Sequence, residues 1–152
     1  MTNDIRYVHT NIVAKDWKAL AHFYCAVFGC KIVGPLRDLS GKWIDTLTEI
    51  KNVHLRGAHL SLPGQVNGPT LEIFEYDPAN LHNAPPEISR QGFCHIAFHV
   101  NDVNGILRKV LEHGGSHIGC IIHQDYPELG RLMAVYARDP EGNFIELQNW
   151  KK

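Results

Sequence analysis

An internal repeat limits the possible folds of this chain more than any other feature of its sequence. The segment HTNIVAKDWKALAHFYCAVFGCKI, which begins at His9, recurs as HIAFHVNDVNGILRKVLEHGGSHI from His95, 86 residues later. Apolar residues in both copies follow the i, i+3, i+4, i+7 spacing of an amphipathic helix. These residues are Trp17, Leu20, Ala21 and Tyr24 in the first copy and Val103, Ile106, Leu107 and Val110 in the second. The repeat therefore predicts one structural unit used twice.

Each predicted helix has its own start and stop signals. Asp16 and Asp102 precede the two helices and can accept the free N–H groups of the first turn. Gly29 ends the first helix and Gly114 or Gly115 ends the second, because glycine adopts the left-handed conformation at a helix end. Strand-like runs flank the helices at residues 7–14, 31–36, 54–62 and 70–76, and again at 93–100, 116–123, 132–138 and 144–150. The predicted fold class is α+β, with two tandem βαβββ modules that form a barrel-like cleft.

The two copies differ in length. Their last strands, LEIFEY from Leu71 and IELQNW from Ile145, match at an offset of 74, so the first copy holds 12 more residues after its helix. The excess lies around GKWIDTLTEIKN, in which Trp43, Leu47 and Ile50 have helical spacing. Residues 77–91 include three prolines, among them Pro85, and are predicted to be a connecting loop. We expect one domain, 1–152, made of modules 5–76 and 92–150.

Composition excludes several classes of function. Lys and Arg number 15 against 16 Asp and Glu, the net charge is −1, and the basic residues are scattered, which argues against a nucleic-acid partner. No run approaches the roughly 18 apolar residues of a membrane span, and residues 1–7 lack the features of a signal peptide. We therefore expect a cytoplasmic protein without a membrane partner. The four cysteines form no CxxC pair, which predicts reduced thiols, with Cys25 and Cys120 as small core residues.

Four ligand-type residues occupy repeat-equivalent positions on the predicted strands: His9 with His95, and Glu72 with Glu146. A single histidine or glutamate in a strand is usually a hydrogen-bonded or solvated residue, but four at equivalent positions are less easily explained in that way. If the two sheets curve towards each other, the four side chains converge. A carboxylate on a concave sheet face is costly unless it is paired, and a divalent cation would satisfy it. The pattern predicts a metal site.

Two imidazoles and two carboxylates suit nickel, zinc, cobalt, manganese or ferrous iron. A six-coordinate ion with four protein ligands keeps two positions open, which a substrate with neighbouring oxygens would fill. His59, His99 and Asn11 are candidates for lining the pocket, with plain burial or surface placement as the alternative. The sequence ARDPEGN, residues 137–143, reads as a turn between two antiparallel strands that positions Glu146.

With these residues in place, HTNIVAKDWKALAHFYCAVFGCKI, LEIFEY, CHIAFHVNDV and ARDPEGNFIEL together resemble the vicinal oxygen chelate superfamily. This group includes glyoxalase I, methylmalonyl-CoA epimerase, extradiol dioxygenases and antibiotic-resistance proteins. The resemblance covers nearly the whole chain in order, and it implies a homodimer that acts on a small molecule.

The resemblance also implies roles for the candidate residues. His9, Glu72, His95 and Glu146 would hold one divalent metal ion, and the catalytic residues would be Glu146 and Glu72. A carboxylate at the position of Glu146 acts as base in glyoxalase I-like members and generates an enediolate or enolate. Bacterial glyoxalase I enzymes commonly carry an arginine that contacts glutathione where this chain has Val13. This departure argues against glutathione thioester chemistry.

The leading hypothesis is therefore a metal-dependent isomerase or lyase. One alternative is a ring-cleaving dioxygenase, which holds ferrous iron with two histidines and one carboxylate; the fourth candidate ligand, Glu72, argues against it. A second alternative is a small-molecule binding or resistance protein that uses the same cleft. Arg6, Arg37, Arg56 and Arg131 are candidates for binding an anionic substrate group.

Overall fold

The computed structural model describes residues 4–81, 84 and 86–152, so the expectations that involve residues 1–3 and Pro85 lie outside the described residues. The chain divides into unit 1, Met1–Leu81, and unit 2, His82–Lys152. Each unit contains a four-stranded mixed sheet, and with three helices in the described residues the fold class is α+β, as predicted. The division falls inside the predicted connecting loop.

Unit 1 consists of β1 (His9–Val13), α1 (Trp17–Phe28), β2 (Lys31–Ser40), α2 (Lys42–Thr48), β3 (His54–Ser61) and β4 (Thr70–Asp77). Its strands lie in the order β1-β4-β3-β2, with β1 parallel to β4 and the other neighbours antiparallel. The predicted strands are confirmed. β2 runs further than predicted because it continues through a bulge between Val33 and Arg37, where Gly34 has φ of +69°.

The helix α1 begins and ends as its sequence predicts. The Asp16 carboxylate accepts hydrogen bonds from the Lys18 and Ala19 backbone N–H groups, both at 3.0 Å, and Gly29 ends the helix with φ of +73°. The apolar residues predicted from the repeat are all buried. They pack α1 against β3 and β4, whose inward residues Ala58, Leu60, Leu71 and Ile73 are buried as well. One face of the sheet is thus occupied by α1.

The extra residues of unit 1 form α2, which confirms a helix in this region but changes its buried side. Trp43 and Leu47 are exposed, and Ile44 instead packs with Val53, Leu55 and Phe74. Side chains alternate along a strand, so Leu55 and Phe74 point to the opposite face from the one that α1 covers. The helix α2 therefore covers one end of the second face.

Gly57 sits beneath Phe74 on this second face. A Cβ atom on Gly57 would lie 2.1 Å from the Ile73 carbonyl oxygen and 2.2 Å from Phe74 Cδ1. Its φ angle is not in the left-handed region, so the close approach, rather than the backbone conformation, requires glycine here. The missing side chain leaves the space that the Phe74 ring uses.

Unit 2 consists of β5 (His95–His99), α3 (Val103–Glu112), β6 (Ser116–Tyr126), β7 (Gly130–Arg138) and β8 (Phe144–Lys151), in the order β5-β8-β7-β6. The pairing pattern matches that of unit 1, with β5 parallel to β8. Asp102 accepts a hydrogen bond from the Gly105 backbone N–H at 2.9 Å, and Gly114 has φ of +86° beyond the helix end. The βαβββ unit is confirmed in both copies.

The turn before β8 is held by Asp139. Its carboxylate accepts hydrogen bonds from the backbone N–H groups of Glu141 and Asn143 at 2.9 and 3.0 Å, and from the Asn143 side chain at 2.8 Å. Gly142 completes the turn with φ of +93°. The predicted turn chemistry is confirmed, and the turn sets the start of the strand that carries Glu146.

All four cysteines are free thiols. Cys25 is half-buried, but Cys120 is exposed, so its prediction as a core residue is wrong. Cys120 lies in a bulge of β6 between Ile118 and Ile122, where the regular inward alternation is interrupted. None of the helices in the described residues combines the length and apolar character needed to span a membrane.

Candidate metal centre

Glu72 is the centre of a polar cluster on the second face of the unit 1 sheet. Strand pairing places Asn11 of β1 and His59 of β3 on either side of it. Asn11 Nδ2 donates to Glu72 Oε2 at 2.9 Å, and His59 Nε2 lies 2.9 Å from Glu72 Oε1. The Glu72 side chain is only 12% exposed, so these neighbours replace most of the water that a carboxylate otherwise binds.

His9 completes this group, which we call the Glu72 cluster: His9, Asn11, His59 and Glu72. His9 Nε2 lies 3.4 Å from Glu72 Oε2, and the His9 and His59 rings meet edge-on with centroids 5.5 Å apart. One ligand atom each from His9, His59 and Glu72 falls within 4.8 Å of the other two. Three atoms of metal-binding type therefore converge in unit 1.

The surroundings of the cluster favour an uncharged His59. Burial lowers the pKa of His59; the Glu72 carboxylate opposes this effect, while the nearby Arg37 and His9 side chains add to it. Burial, followed by the Glu72 charge, raises the pKa of Tyr76 on the same strand face. A neutral imidazole keeps the lone pair that a metal ion requires.

Unit 2 carries an equivalent but smaller group, the Glu146 pair of His95 and Glu146. His95 Nε2 lies 3.1 Å from Glu146 Oε2, and the Glu146 side chain is 20% exposed. Tyr136 is the β7 residue paired with Glu146, and its ring meets the His95 ring at a centroid distance of 5.2 Å. Burial, followed by the Glu146 and Cys94 charges, raises the pKa of Tyr136, so its phenol is neutral near pH 7.

The structure thus brings the predicted ligands together within each unit, His9 with Glu72 and His95 with Glu146. His59 joins the first pair, although its sequence position indicated no more than a pocket lining. Asn11 also contacts Glu72, as a pocket residue would. His99 is exposed on the same strand face as His95. The signal for His59 was available only through the pairing of β3 with β4, which places it opposite Glu72.

Of the four candidate arginines, Arg37 is the one placed beside the Glu72 cluster. It pairs with Gly57, two residues from His59 on the same face, and its charge acts on His59. Arg56 instead donates from Nη2 to Glu75 Oε1 at 2.7 Å. The other two form exposed ion pairs, Arg6 with Asp4 at 3.6 Å and Arg131 with Asp125 at 3.7 Å.

Comparisons with known proteins agree with this architecture. The sequence model of the glyoxalase/bleomycin resistance protein/dioxygenase superfamily matches residues 6–147. Comparison with curated proteins finds no match.

Among solved structures, a glyoxalase family protein from Bacillus cereus is similar, with a TM-score of 0.84 and 18% identity over 100% of this chain and 99% of its own. The trypanothione-dependent glyoxalase I of Leishmania major has a TM-score of 0.58 and 23% identity over 96% of this chain and 87% of its own. A glyoxalase/bleomycin resistance protein/dioxygenase family enzyme from Burkholderia phytofirmans has a TM-score of 0.60 and 15% identity over 97% of this chain and 100% of its own. At these identities the likeness establishes the fold and leaves the activity open.

Proposed function

The chain belongs to the glyoxalase/bleomycin resistance protein/dioxygenase superfamily, and from that membership we propose that it is a metal-dependent isomerase or lyase of glyoxalase I-like type. Its substrate is a small molecule with neighbouring oxygen atoms. The observation that carries the proposal is the pair of repeat-equivalent His–Glu contacts, 3.4 Å in unit 1 and 3.1 Å in unit 2.

The donor set fits a divalent ion. Glu72 is almost fully buried, yet its close contacts are the neutral amide of Asn11 and imidazoles, of which His59 has a lowered pKa. A buried carboxylate without a full countercharge is costly, and a cation supplies that charge. We propose His9, Glu72, His95 and Glu146 as metal ligands, for nickel, zinc, cobalt, manganese or ferrous iron. Bound there, the ion stabilises the oxyanion charge that develops on the substrate.

Glu146 is the proposed base. Its carboxylate takes a proton from the carbon next to a substrate carbonyl or hemithioacetal and can return it to the neighbouring carbon. Its side chain is 20% exposed, against 12% for Glu72, which three neighbours hold, so Glu146 is the more accessible to substrate. Glu72 acts as the second catalytic carboxylate by fixing His9 and balancing the charge at the site.

Arg37 is the proposed partner of an anionic group on the substrate, because it is the candidate arginine beside the Glu72 cluster. Val13 is exposed where bacterial glyoxalase I enzymes commonly have an arginine, which favours a substrate other than a glutathione thioester. Arg37→Gln is expected to raise KM for an acidic substrate more than it lowers kcat, since the arginine binds rather than reacts. An unchanged KM would exclude this role.

We further propose a homodimer, because β1 and β2 are the edge strands of the unit 1 sheet and β5 and β6 are those of the unit 2 sheet. Sedimentation equilibrium of the full chain measures this directly. A monomer at micromolar concentration would contradict the proposal. The four free thiols support our proposal that the protein is cytoplasmic.

The decisive experiment measures metal content and proton exchange in the same samples. We expect one divalent ion per chain, bound at least tenfold more weakly after His95→Ala. We also expect solvent deuterium to enter the position next to the carbonyl of 2-oxo, hemithioacetal and thioester compounds. Glu146→Gln is expected to remain folded and lose this exchange. A protein that cannot be loaded with any of the five metals, or exchange that persists in Glu146→Gln, would contradict the proposal.

One observation favours a second candidate, a ring-cleaving dioxygenase. The Glu72 cluster offers two histidines and one carboxylate, the ligand set that holds ferrous iron in many oxygenases. Oxygen uptake with catechols by the ferrous protein tests it. If the ferrous protein takes up oxygen and His9→Ala abolishes this uptake, the dioxygenase becomes the better-supported function.

A further inference from the structure

We propose that His59 is a metal ligand, so that unit 1 by itself holds a divalent ion through His9, His59 and Glu72. The proposal rests on the proposed function because His9 and Glu72 belong to both ligand sets. It adds a third donor that has no counterpart in unit 2 and lies outside the repeat-equivalent residues.

The spacing of the donor atoms suits a single ion. His59 Nε2 and His9 Nε2 lie 2.9 and 3.4 Å from the two oxygens of Glu72. Ligand atoms about 2.1 Å from a metal, at angles between octahedral and tetrahedral, are separated by about 3.0 to 3.4 Å. Each histidine nitrogen therefore stands at coordination spacing from one oxygen of Glu72, and the three ligand atoms lie within 4.8 Å of one another.

The neighbours of the donors hold them in the required orientation. His59 Nδ1 lies 2.9 Å from Thr70 Oγ1. When Nδ1–H donates to this hydroxyl, the lone pair of Nε2 points towards Glu72, where it is free to bind a cation. Asn11 Nδ2 donates to Glu72 Oε2 and fixes the carboxylate in turn. Such hydrogen bonds to the ligands orient metal sites and strengthen metal binding.

Unit 2 shows what the same position looks like without a third donor. Tyr136 faces Glu146 from the paired strand, as His59 faces Glu72. A neutral phenol does not bind a divalent ion as an imidazole does. The third donor is thus specific to unit 1, and the βαβββ module does not require it.

A third donor changes the ligand set of unit 1. With His59, unit 1 offers three donors, whose ligand atoms all lie within 4.8 Å of one another, instead of the two of the repeat-equivalent pair. Unit 1 would therefore bind a divalent ion with three of its own side chains.

Proton NMR of the Co²⁺-loaded protein tests the assignment. Each coordinated imidazole contributes a strongly shifted N–H signal that exchanges with solvent. We expect His59→Gln to remove one such signal and Thr70→Val to broaden the same signal, because its hydrogen-bond acceptor is lost. His22→Gln is the matched control, since His22 is exposed on α1, and it should keep every signal. Co²⁺ affinity should fall at least tenfold in His59→Gln.

Affinity alone would not separate a ligand from a residue that only orients a ligand, because both losses reach 10- to 100-fold. The N–H signal does separate them. This inference would be overturned if the wild-type protein bound Co²⁺ but showed no shifted N–H signal that His59→Gln removes. The proposed function would not be affected by that result. A wild-type chain that binds no Co²⁺ would overturn both. A His59-dependent signal without proton exchange activity would support the ligand and refute the proposed reaction.

Discussion

Gly57→Ala is expected to destabilise unit 1 by about 3 kcal/mol. The added Cβ would lie 2.1 Å from the Ile73 carbonyl oxygen and 2.2 Å from Phe74 Cδ1, where carbon atoms normally keep about 3.5 Å. The aromatic ring can move, but the carbonyl belongs to the neighbouring strand and cannot move without breaking the β3–β4 ladder. Overpacking of this kind typically costs about 1–3 kcal/mol, and the backbone contact places this case at the upper end.

The displacement also reaches the Glu72 cluster. Phe74 packs on one side against Ile44 of α2 and on the other lies edge-on to the His59 ring, with centroids 6.3 Å apart. A ring pushed away from Gly57 loses one or both of these contacts. We therefore expect Co²⁺ affinity to fall about tenfold together with stability, the size of effect seen when residues that orient a metal ligand are disturbed.

Thermal and urea unfolding followed by circular dichroism measure the effect. At about 2–4 °C per kcal/mol for a chain of this size, Tm should fall by about 6–12 °C. Gly68→Ala is the comparison, because the three atoms nearest to its Cβ all belong to the exposed Gln65 side chain, the closest at 2.7 Å, and it should destabilise the protein less than Gly57→Ala does.

A double-mutant cycle with Phe74→Leu identifies the clash. The smaller side chain removes the ring contact but leaves the carbonyl contact, so the two changes together should cost about 1 kcal/mol less than their sum. The steric reasoning would be refuted if Gly57→Ala changed the free energy of unfolding by less than about 0.5 kcal/mol. It would also be refuted if the losses from the two substitutions were strictly additive.

Three further predictions concern the caps, a buried thiol and the metal. Asp16→Ala should lower the free energy of unfolding by about 1 kcal/mol, since two backbone N–H groups lose their acceptor; a change below 0.3 kcal/mol in urea unfolding would argue against the cap. Burial, aided by Cys25, raises the pKa of Cys30 from 9.0 to about 11, so the thiol contributes stability that is complete below pH 9 and lost as pH rises through about 11. At about 1.4 kcal/mol per pH unit this amounts to about 3 kcal/mol, and Cys30→Ala should flatten the alkaline decline in stability; equal slopes would contradict the assignment. Zinc at 100 times its Kd should raise the free energy of unfolding of the wild type by about 2.7 kcal/mol, and EDTA should reverse this effect. If zinc still raised the Tm of Glu72→Gln, the ion would bind elsewhere.

Local signals in the sequence predicted most of the fold. Both amphipathic helices, their aspartate caps and the eight strands follow from periodicities that each segment carries by itself. The two strands that extend furthest beyond their predicted ends, β2 and β6, both contain bulges with a glycine at positive φ, Gly34 and Gly119. In β2 the predicted segment ends within the bulge, because a bulge interrupts the alternation of inward and outward residues.

Features that depend on pairing between distant segments could not be predicted from the sequence. The repeat identified His9, Glu72, His95 and Glu146, but the contact of His59 with Glu72 depends on the register between β3 and β4. The repeat gave no indication of this contact, because the residue of unit 2 that corresponds to His59 is Tyr136. In α2 the larger Trp43 is exposed while Ile44 is buried, because the position of Phe74 decides which side faces the sheet.

The parallel pairing of β1 with β4 has a consequence for the order in which unit 1 folds. β3 and β4 are neighbours in sequence, whereas Asn11 and Glu72 are 61 residues apart, so docking β1 requires the largest loop closure in the sheet. We expect β1 to join last, and with it His9. Metal affinity would then arise only at the final folding step, and in a refolding experiment Co²⁺ absorption should lag behind the recovery of circular dichroism.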